Sequence, residues 1–326
     1  MNLNDYLGQE PHVFLAPMAG ITDAPFRELV LDFGATATVS EMISSEALVR
    51  SNAKTYSRLR GQSKDTLKIV QLLGANPKIM AASAVINEEL GVDVIDINMG
   101  CPARKIVSNN SGAALMINED LALKIAEAVI KAVKIPVTLK MRLGWDSKSI
   151  NFLSFAKKFE DIGIQMLTIH CRTRSQMYRE QADWSLIREL RNVIKIPYLC
   201  NGDIKSEKDA ILALKESQAH GVMVGRAALG KPWLLNQIMK FLNKNEIIPS
   251  PPLDKQFQII MAHFQAVLDL YGELRGIKIF RKHFCWYSSK LSGSSNFRKV
   301  INQSEDLSFI KNYVKDFYEK RFEAIL

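Results

Sequence analysis

Residues 92–141 read VDVIDINMGCPARKIVSNNSGAALMINEDLALKIAEAVIKAVKIPVTLKM, and this stretch decides the fold of the chain. It begins with the β-branched run VDVIDIN (92–98) and ends with a second such run, VTLKM (137–141). Between them, EDLALKIAEAVIKAV (119–133) has apolar side chains at helical spacing, and its acidic start and lysine-bearing end suit the helix dipole. A strand, a helix and a strand in this order are typical of the βα repeats that surround a parallel sheet.

The same alternation of β-branched runs and amphipathic stretches extends from about residue 13 to residue 230. In chain order the runs are VFLAP (13–17), ATATVSE (35–41), LKIVQ (67–71), VDVIDIN (92–98), VTLKM (137–141), MLTIH (166–170), YLCN (198–201) and GVMVG (221–225). Eight runs fit a closed (β/α)₈ barrel, so we expect an α/β protein with a TIM barrel.

The rhythm changes after Pro232. NKNEIIPSPPLD (243–254) contains three prolines and is typical of a linker. Beyond it, FQIIMAHFQAVLDLYG and the basic, aromatic-bearing GIKIFRKHFCWYSSKL have helical spacing without strand alternation. We therefore predict a TIM-barrel domain at residues 1–245, followed by a small helical domain at 246–326.

Composition excludes two classes of protein. The hydrophobic fraction of 47% and the charged fraction of 24% are those of a globular protein, which excludes a disordered chain. No apolar stretch reaches the roughly 18 residues of a membrane span, and the N-terminus lacks a signal-peptide pattern, so we expect a cytoplasmic location and no membrane contact. The cysteines at 101, 171, 200 and 285 lack zinc-ligand spacing, so we expect a reduced compartment and no bound metal.

The net charge is +9 and the pI is about 9.3. Lys and Arg side chains that neutralise phosphates gain affinity by releasing counterions, so this charge favours a polyanionic partner such as nucleic acid. Charge by itself does not identify that partner, because many basic proteins bind no nucleic acid.

In a (β/α)₈ barrel the active site lies at the C-terminal ends of the strands. An isolated Asn or Gly at such a position is usually a cap or turn residue, but here polar residues accumulate on the whole rim. The residues predicted on this rim are Pro17, Met18, Ala19, Glu41, Gln71, Asn98, Cys101, Lys140, His170, Asn201, Gly202, Asp203, Gly225 and Arg226.

Two glycine-bearing motifs, NGD (201–203) and VGRAAL (224–229), follow the seventh and eighth runs. Barrels often bind a phosphate at this place through glycine amides and a helix N-terminus, and Arg226 can add a charge-assisted hydrogen bond. The motifs therefore indicate a phosphate-bearing cofactor. His170 could bond the phosphate or ring of that cofactor, or be satisfied by a backbone carbonyl.

Lys140 and Cys101 are the candidates for chemistry, and each has more than one interpretation. Lys140 could stabilise negative charge on a reduced cofactor ring, form a Schiff base, or pair with a rim carboxylate such as Glu41. A cysteine thiol is mostly protonated at neutral pH, so Cys101 could donate a proton to a carbanion. Beside a cation the thiolate is favoured, and Cys101 would then be a nucleophile.

Ordered motifs across nearly the whole chain resemble the tRNA-dihydrouridine synthases, and within them the bacterial B-type branch. The motifs are LAPMAGITDAPFR, EMISSEAL, VQLLG, DINMGCPARKI, SGAALM, LKMRLGWD, IHCRTR, NGDI and VGRAALGKPWL, with RKHFCWY in the tail similar to a basic RKH-x-x-WY stretch. Such ordered agreement is more specific than any single motif.

The resemblance implies bound FMN, NADPH as reductant, and reduction of the C5–C6 bond of a uridine in the tRNA D-loop. It implies hydride transfer to C6 and protonation of C5 by Cys101. By position, the residues that match cofactor contacts are Pro17, Met18, Ala19, Gln71, Lys140, His170, Asn201, Gly202, Asp203, Gly225 and Arg226. Asn98 matches a position near the reacting base.

The basic tail fits an RNA substrate. Arg281 and Lys282, with His283, could meet phosphates, while Trp286 and Tyr287 stack on RNA or pack in the helical core. Two alternatives stay open: a small-molecule FMN oxidoreductase such as a dihydroorotate dehydrogenase, and a non-catalytic tRNA-binding protein. We expect a monomer.

Overall fold

The computed structural model describes residue 3 and the ranges 11–50 and 67–322. Its parallel strands follow the order β2-β1-β9-β8-β7-β6-β5-β4-β3, and β2 also pairs with β4, which closes the barrel. The strands are β1 His12–Leu15, β2 Ala37–Val39, β3 Ile43–Ser44, β4 Lys68–Leu73, β5 Val94–Met99, β6 Val137–Arg142, β7 Met166–His170, β8 Tyr198–Asn201 and β9 Gly221–Val224. Each of the eight sequence runs overlaps one strand of the ring, so the predicted (β/α)₈ barrel is confirmed.

The short strand β3 was not predicted. It pairs with the same strand as β2, because Val39 lies opposite Ile69 and Ile43 lies opposite Leu72. Between the two short strands the Ser40 hydroxyl, and not a backbone carbonyl, accepts a hydrogen bond from the Gln71 amide at 3.0 Å. The second strand of the barrel is thus interrupted in the manner of a β-bulge.

Helices surround the barrel and continue after it. In the described ranges the α-helices are Ala24–Asp32, Ser45–Arg50, Pro77–Glu89, Arg104–Val107, Glu119–Ala132, Phe152–Ile162, Leu190–Val193, Glu207–Ser217, Leu234–Lys244, Leu253–Tyr271, Glu273–Tyr287, Ser294–Gln303 and Leu307–Phe322. Short 3₁₀ helices lie at Gly112–Ile117, Trp184–Ile187 and Arg226–Ala228. The predicted helix at 119–133 is present, and the Asn118 side chain caps it by accepting from the Leu121 amide at 3.2 Å.

The helices from Leu253 to Phe322 have a hydrophobic cluster of their own, built from aromatic and branched side chains such as Phe264, Phe284 and Phe297. Trp233, which precedes the helix Leu234–Lys244, joins this cluster and so attaches it to the barrel. The sequence predicted a linker at residues 243–254, and of these residues 245–252 carry no helix or strand, whereas the two residues at each end belong to the flanking helices. Within the described ranges, none of the helices combines bilayer-spanning length with a sufficiently apolar sequence.

Candidate active site

A cavity of about 960 Å³ opens at the C-terminal ends of the strands, a volume in the range of small-molecule sites. Its wall contains all the cofactor-binding residues predicted from the sequence, together with Asn98 and Cys101. Glu41, which the sequence placed on this rim, is not part of the wall. Its carboxylate instead accepts a hydrogen bond from the Gly20 amide, and the neighbouring Met42 lines the cavity.

A chain of buried hydrogen bonds crosses three strands beneath the cavity. Asn98 Nδ2 donates to Gln71 Oε1 at 2.6 Å, and Gln71 Nε2 donates to Asp96 Oδ2 at 2.7 Å. Thr138 Oγ1 donates to the other oxygen of Asp96 at 2.7 Å. Burial raises the pKa of Asp96, and the two donated bonds oppose that rise. The chain fixes the orientation of both amide side chains.

The turn that carries Cys101 is held from two sides. Asn98 Oδ1 accepts hydrogen bonds from the backbone amides of Gly100 at 3.1 Å and Cys101 at 3.0 Å. On the other side, the Cys101 carbonyl accepts from the Ala113 amide at 3.0 Å. Gly112 has φ +60°, and a Cβ built there would lie 2.8 Å from the Cys101 carbonyl oxygen. Only glycine therefore permits this packing.

Lys140 is a buried cation on the cavity floor. Its Nζ donates to Asn201 Oδ1 at 3.0 Å, and Asn201 Nδ2 donates to the Met223 carbonyl at 2.7 Å. Burial, assisted by the neighbouring Arg142 charge, lowers the pKa of Lys140 from 10.5 to about 8. The pairing with Glu41 that the sequence left open is wrong, because that carboxylate lies at Gly20 instead.

Arg142 was not among the predicted site residues. Its side chain is 1% exposed, yet its guanidinium donates to the loops after β5 and β7 at the cavity mouth. Nε bonds the Gly100 carbonyl at 2.8 Å, and Nη1 bonds the carbonyls of Thr173 at 2.9 Å and Met177 at 3.1 Å. The strand sequence VTLKMR carries a signal that could have identified it, because Thr138, Lys140 and Arg142 share one face of a strand that is otherwise apolar.

A second group of charges lies after strands β7 and β8. Asp203 Oδ2 forms an ion pair with the buried Arg172, and its other oxygen lies 3.4 Å from Arg226 Nη2. Arg172 Nη1 lies 3.1 Å from His170 Nε2, so that ring nitrogen accepts the bond and is unprotonated. Burial first, and then the charge of Arg142, keeps the pKa of His170 well below 6.5. His170 is therefore neutral.

Tyr178 is an exposed aromatic ring at the mouth that sequence reasoning missed. It lies between two cations, with Arg226 5.0 Å and Arg142 5.6 Å from the ring centroid, and its side chain is 51% exposed. An exposed ring in this position offers a flat apolar surface to a ligand in the cavity.

The predicted RNA-binding residues of the tail do not line the cavity. Lys282 Nζ donates to the Gly20 carbonyl, and Arg281 Nη2 donates to the Ser304 carbonyl at 2.8 Å. The prediction that both bind RNA stays a prediction. For His283 the expected phosphate contact is wrong, because its ring is fully buried beside Phe26, Phe280 and His263. Tyr287 is buried too, and its hydroxyl lies 3.1 Å from His263 Nδ1.

Comparisons with known proteins point to one family over almost the whole chain. Residues 14–322 match the family model of dihydrouridine synthase. A probable tRNA-dihydrouridine synthase of Rickettsia bellii is 47% identical over 308 residues, 94% of this chain and 94% of that protein. The tRNA-dihydrouridine synthase B of Pseudomonas putida is 39% identical over 96% of this chain and 93% of its own length.

A solved structure supports the fold independently of sequence. The old yellow enzyme homologue of Zymomonas mobilis, 15% identical, superposes with a TM-score of 0.54 over 75% of this chain and 92% of that chain. At this identity the likeness concerns the barrel fold alone. From the family model and the relatives that match along more than nine tenths of their length, we conclude that this chain belongs to the dihydrouridine synthase family.

Proposed function

We propose that this protein is an FMN-dependent tRNA-dihydrouridine synthase that uses NADPH to saturate the C5–C6 bond of a D-loop uridine. The observation that carries the proposal is that a thiol, Cys101, and a buried cation, Lys140, line the same cavity. The family membership and the names of the full-length relatives support this choice of reaction.

The cavity fits FMN. An anionic flavin ring needs a cation nearby, and Lys140 is a buried ammonium whose only hydrogen bond in the described residues is to a neutral amide. Gly225 leaves room for a ligand, since a Cβ there would only just touch Ala16 and Met18 at 3.7 and 3.8 Å. The Arg226 side chain is 57% exposed, and in the described part of the chain its guanidinium contacts the Asp203 carboxylate and the Tyr178 ring. Several of its N–H donors therefore remain free for a phosphate.

The chain's own residues then divide the work. Bound and reduced, FMN supplies a hydride equivalent for C6 of the uracil ring. Cys101 supplies the proton for C5, from a turn that Asn98 and Gly112 hold rigidly at the cavity wall. Lys140 holds a positive charge on the cavity floor, where it would stabilise the negative charge of a reduced flavin ring.

The uracil base must leave its stack in the RNA to reach the cavity floor. Tyr178 presents an exposed ring at the mouth on which a base can stack. Arg104 and Lys105, just beyond Cys101, are exposed and can meet the phosphates on either side of the extruded nucleotide. We propose that the helices after Leu253 hold the rest of the tRNA, and that the protein acts as a cytoplasmic monomer.

The test is an anaerobic incubation of the purified protein with NADPH and unmodified tRNA, followed by mass spectrometry of the nucleosides. A gain of two mass units at a D-loop uridine is expected. Reduction of the bound flavin by a dihydropyrimidine substrate, with no oxidation of the reduced flavin by tRNA, would instead favour a small-molecule oxidoreductase. Binding of tRNA by a protein without flavin would favour a non-catalytic role.

A further inference from the structure

The helix Glu273–Tyr287, called the junction helix below, lies directly behind two loops of the cavity wall. The first loop follows β1 and contains Met18, Ala19 and Ile21, and the second follows β9 and contains Gly225 and Arg226. Because β1 and β9 are neighbouring strands of the barrel, these loops form one continuous side of the cavity. A single helix can therefore set the position of that side.

Lys282 makes the polar contact with the first loop. Its Nζ donates to the Gly20 carbonyl, while the Gly20 amide donates to the Glu41 carboxylate, so the Gly20 residue is held on both sides. Gly20 has φ +75°, and a Cβ built there would approach Lys282 Nζ to 3.7 Å. The ammonium thus sits against the backbone of the turn, in a place where it also satisfies a carbonyl group.

The 18–22 turn is stiff enough to pass a displacement on to the cavity. The amides of Ile21 and Thr22 both donate to the Met18 carbonyl at 3.0 Å, and the Thr22 hydroxyl accepts from the Met18 amide at 2.9 Å. A shift at Gly20 must therefore move Met18, whose side chain lines the cavity. The turn ends at Asp23, whose carboxylate caps the helix Ala24–Asp32 by accepting from the Phe26 amide at 3.2 Å.

The second loop meets the end of the junction helix without space between them. A Cβ built on Gly230, at φ +70°, would lie 2.6 Å from the backbone carbonyl of Trp286 and 2.9 Å from the Tyr287 nitrogen. The two contacts, at Lys282 and at Gly230, fix the junction helix to adjacent loops.

We propose that Lys282 is a positioning residue. Acting through Gly20, it fixes the 18–22 turn, and so it sets the position of the cavity wall relative to the helical region that holds the RNA. This inference rests on the proposed function, and it gives Lys282 a different task from the phosphate contact expected from the sequence. The RNA is held by the helices from Leu253 to Phe322, and this contact thereby aligns its reacting base with Cys101 in the barrel.

The experiment compares Lys282→Met with Lys282→Arg and with Lys278→Met, all in the full-length protein. Lys278 lies one turn earlier on the same helix, is 57% exposed and pairs with Glu305, so Lys278→Met removes one charge without touching the barrel. Three properties are measured: hydrogen exchange of the Gly20, Ile21 and Thr22 amides, the absorbance spectrum of the bound flavin, and tRNA affinity as a function of salt.

For Lys282→Met we expect about tenfold faster hydrogen exchange at these amides. This is the loss of protection expected when one charge-assisted hydrogen bond is removed. The flavin spectrum should shift, tRNA affinity should fall no further than in Lys278→Met, and Lys282→Arg should restore most of the protection. Unchanged exchange with a salt slope lowered by about one would overturn the proposal, since that marks a phosphate contact. Faster exchange in a protein that forms no dihydrouridine would uphold it and reject the proposed function.

Discussion

Burial of His283 predicts that the folded protein loses stability at acidic pH. Its ring packs on Phe280, on the barrel residue Phe26 and on His263, and neither ring nitrogen has a hydrogen-bond partner among the described residues. Burial, followed by the charges of His263 and Lys282, keeps the pKa of His283 well below 6.5. We expect His283→Phe to remove this titration while leaving the aromatic packing in place.

The sign follows from proton counting. Below pH 6.5 the unfolded chain binds a proton at His283 that the folded chain does not, so stability falls as pH falls below this value. At pH 5, which is 1.5 units lower, the loss has a ceiling of about 2 kcal/mol. His263, whose pKa burial lowers to about 3, acts in the same direction. Asp23, whose pKa burial raises to about 6, opposes it, because the folded state takes up its proton first.

The assay is urea unfolding of both proteins at pH 7.5 and pH 5.0, followed by tryptophan fluorescence. Since His263 and Asp23 are present in both proteins, the difference between the two pH dependences measures the loss of the His283 titration, together with any effect of that loss on the neighbouring His263. The variant should lose up to about 2 kcal/mol less stability on acidification than the wild type. Any overpacking by the larger phenyl ring is common to both pH values and cancels. Equal losses in the two proteins would refute the reasoning.

Three further predictions concern the cavity. Cys101→Ala should bind FMN and tRNA normally but form dihydrouridine roughly 10² to 10⁴ times more slowly, because only protonation is disabled. The rate is measured by nucleoside mass spectrometry, and full activity would remove Cys101 from the mechanism. Gly112→Ala should displace the Cys101 turn and lower turnover at unchanged tRNA affinity. The control is Gly91→Ala, because Gly91 has φ +78° and no atom within 4 Å of a Cβ built there, so this variant should bear only the backbone strain. Similar turnover in the two variants would contradict the packing argument. Arg226→Ala should weaken FMN binding about tenfold or more in a fluorescence titration, with the exposed Lys208→Ala as control; equal affinities would place the phosphate elsewhere.

The barrel could be predicted from the sequence because its determinants are local. Alternation of β-branched runs with helical stretches is a property of short segments, and the number of repeats specifies closure. The rim residues followed from the same reasoning, since parallel strands end on one side of a barrel. That is why Gln71, Asn98, Lys140 and Asn201 were identified without any contact being known.

The partners of these side chains could not be predicted, because they depend on register and on docking. Asp96 lies opposite Gln71 on one side and Thr138 on the other only through the register of three strands. Arg142 bonds loops that are close in space and far apart in sequence.

The basic tail shows most clearly what the sequence determines and what only the tertiary structure decides. Sequence determined that residues 281–283 are basic and helical, and from this an RNA contact was the natural expectation. Tertiary structure decided that His283 faces the core and that Lys282 reaches the Gly20 carbonyl. Helical periodicity fixes which residues share a face, but the body packed against that face decides whether a side chain meets solvent, backbone or an aromatic core.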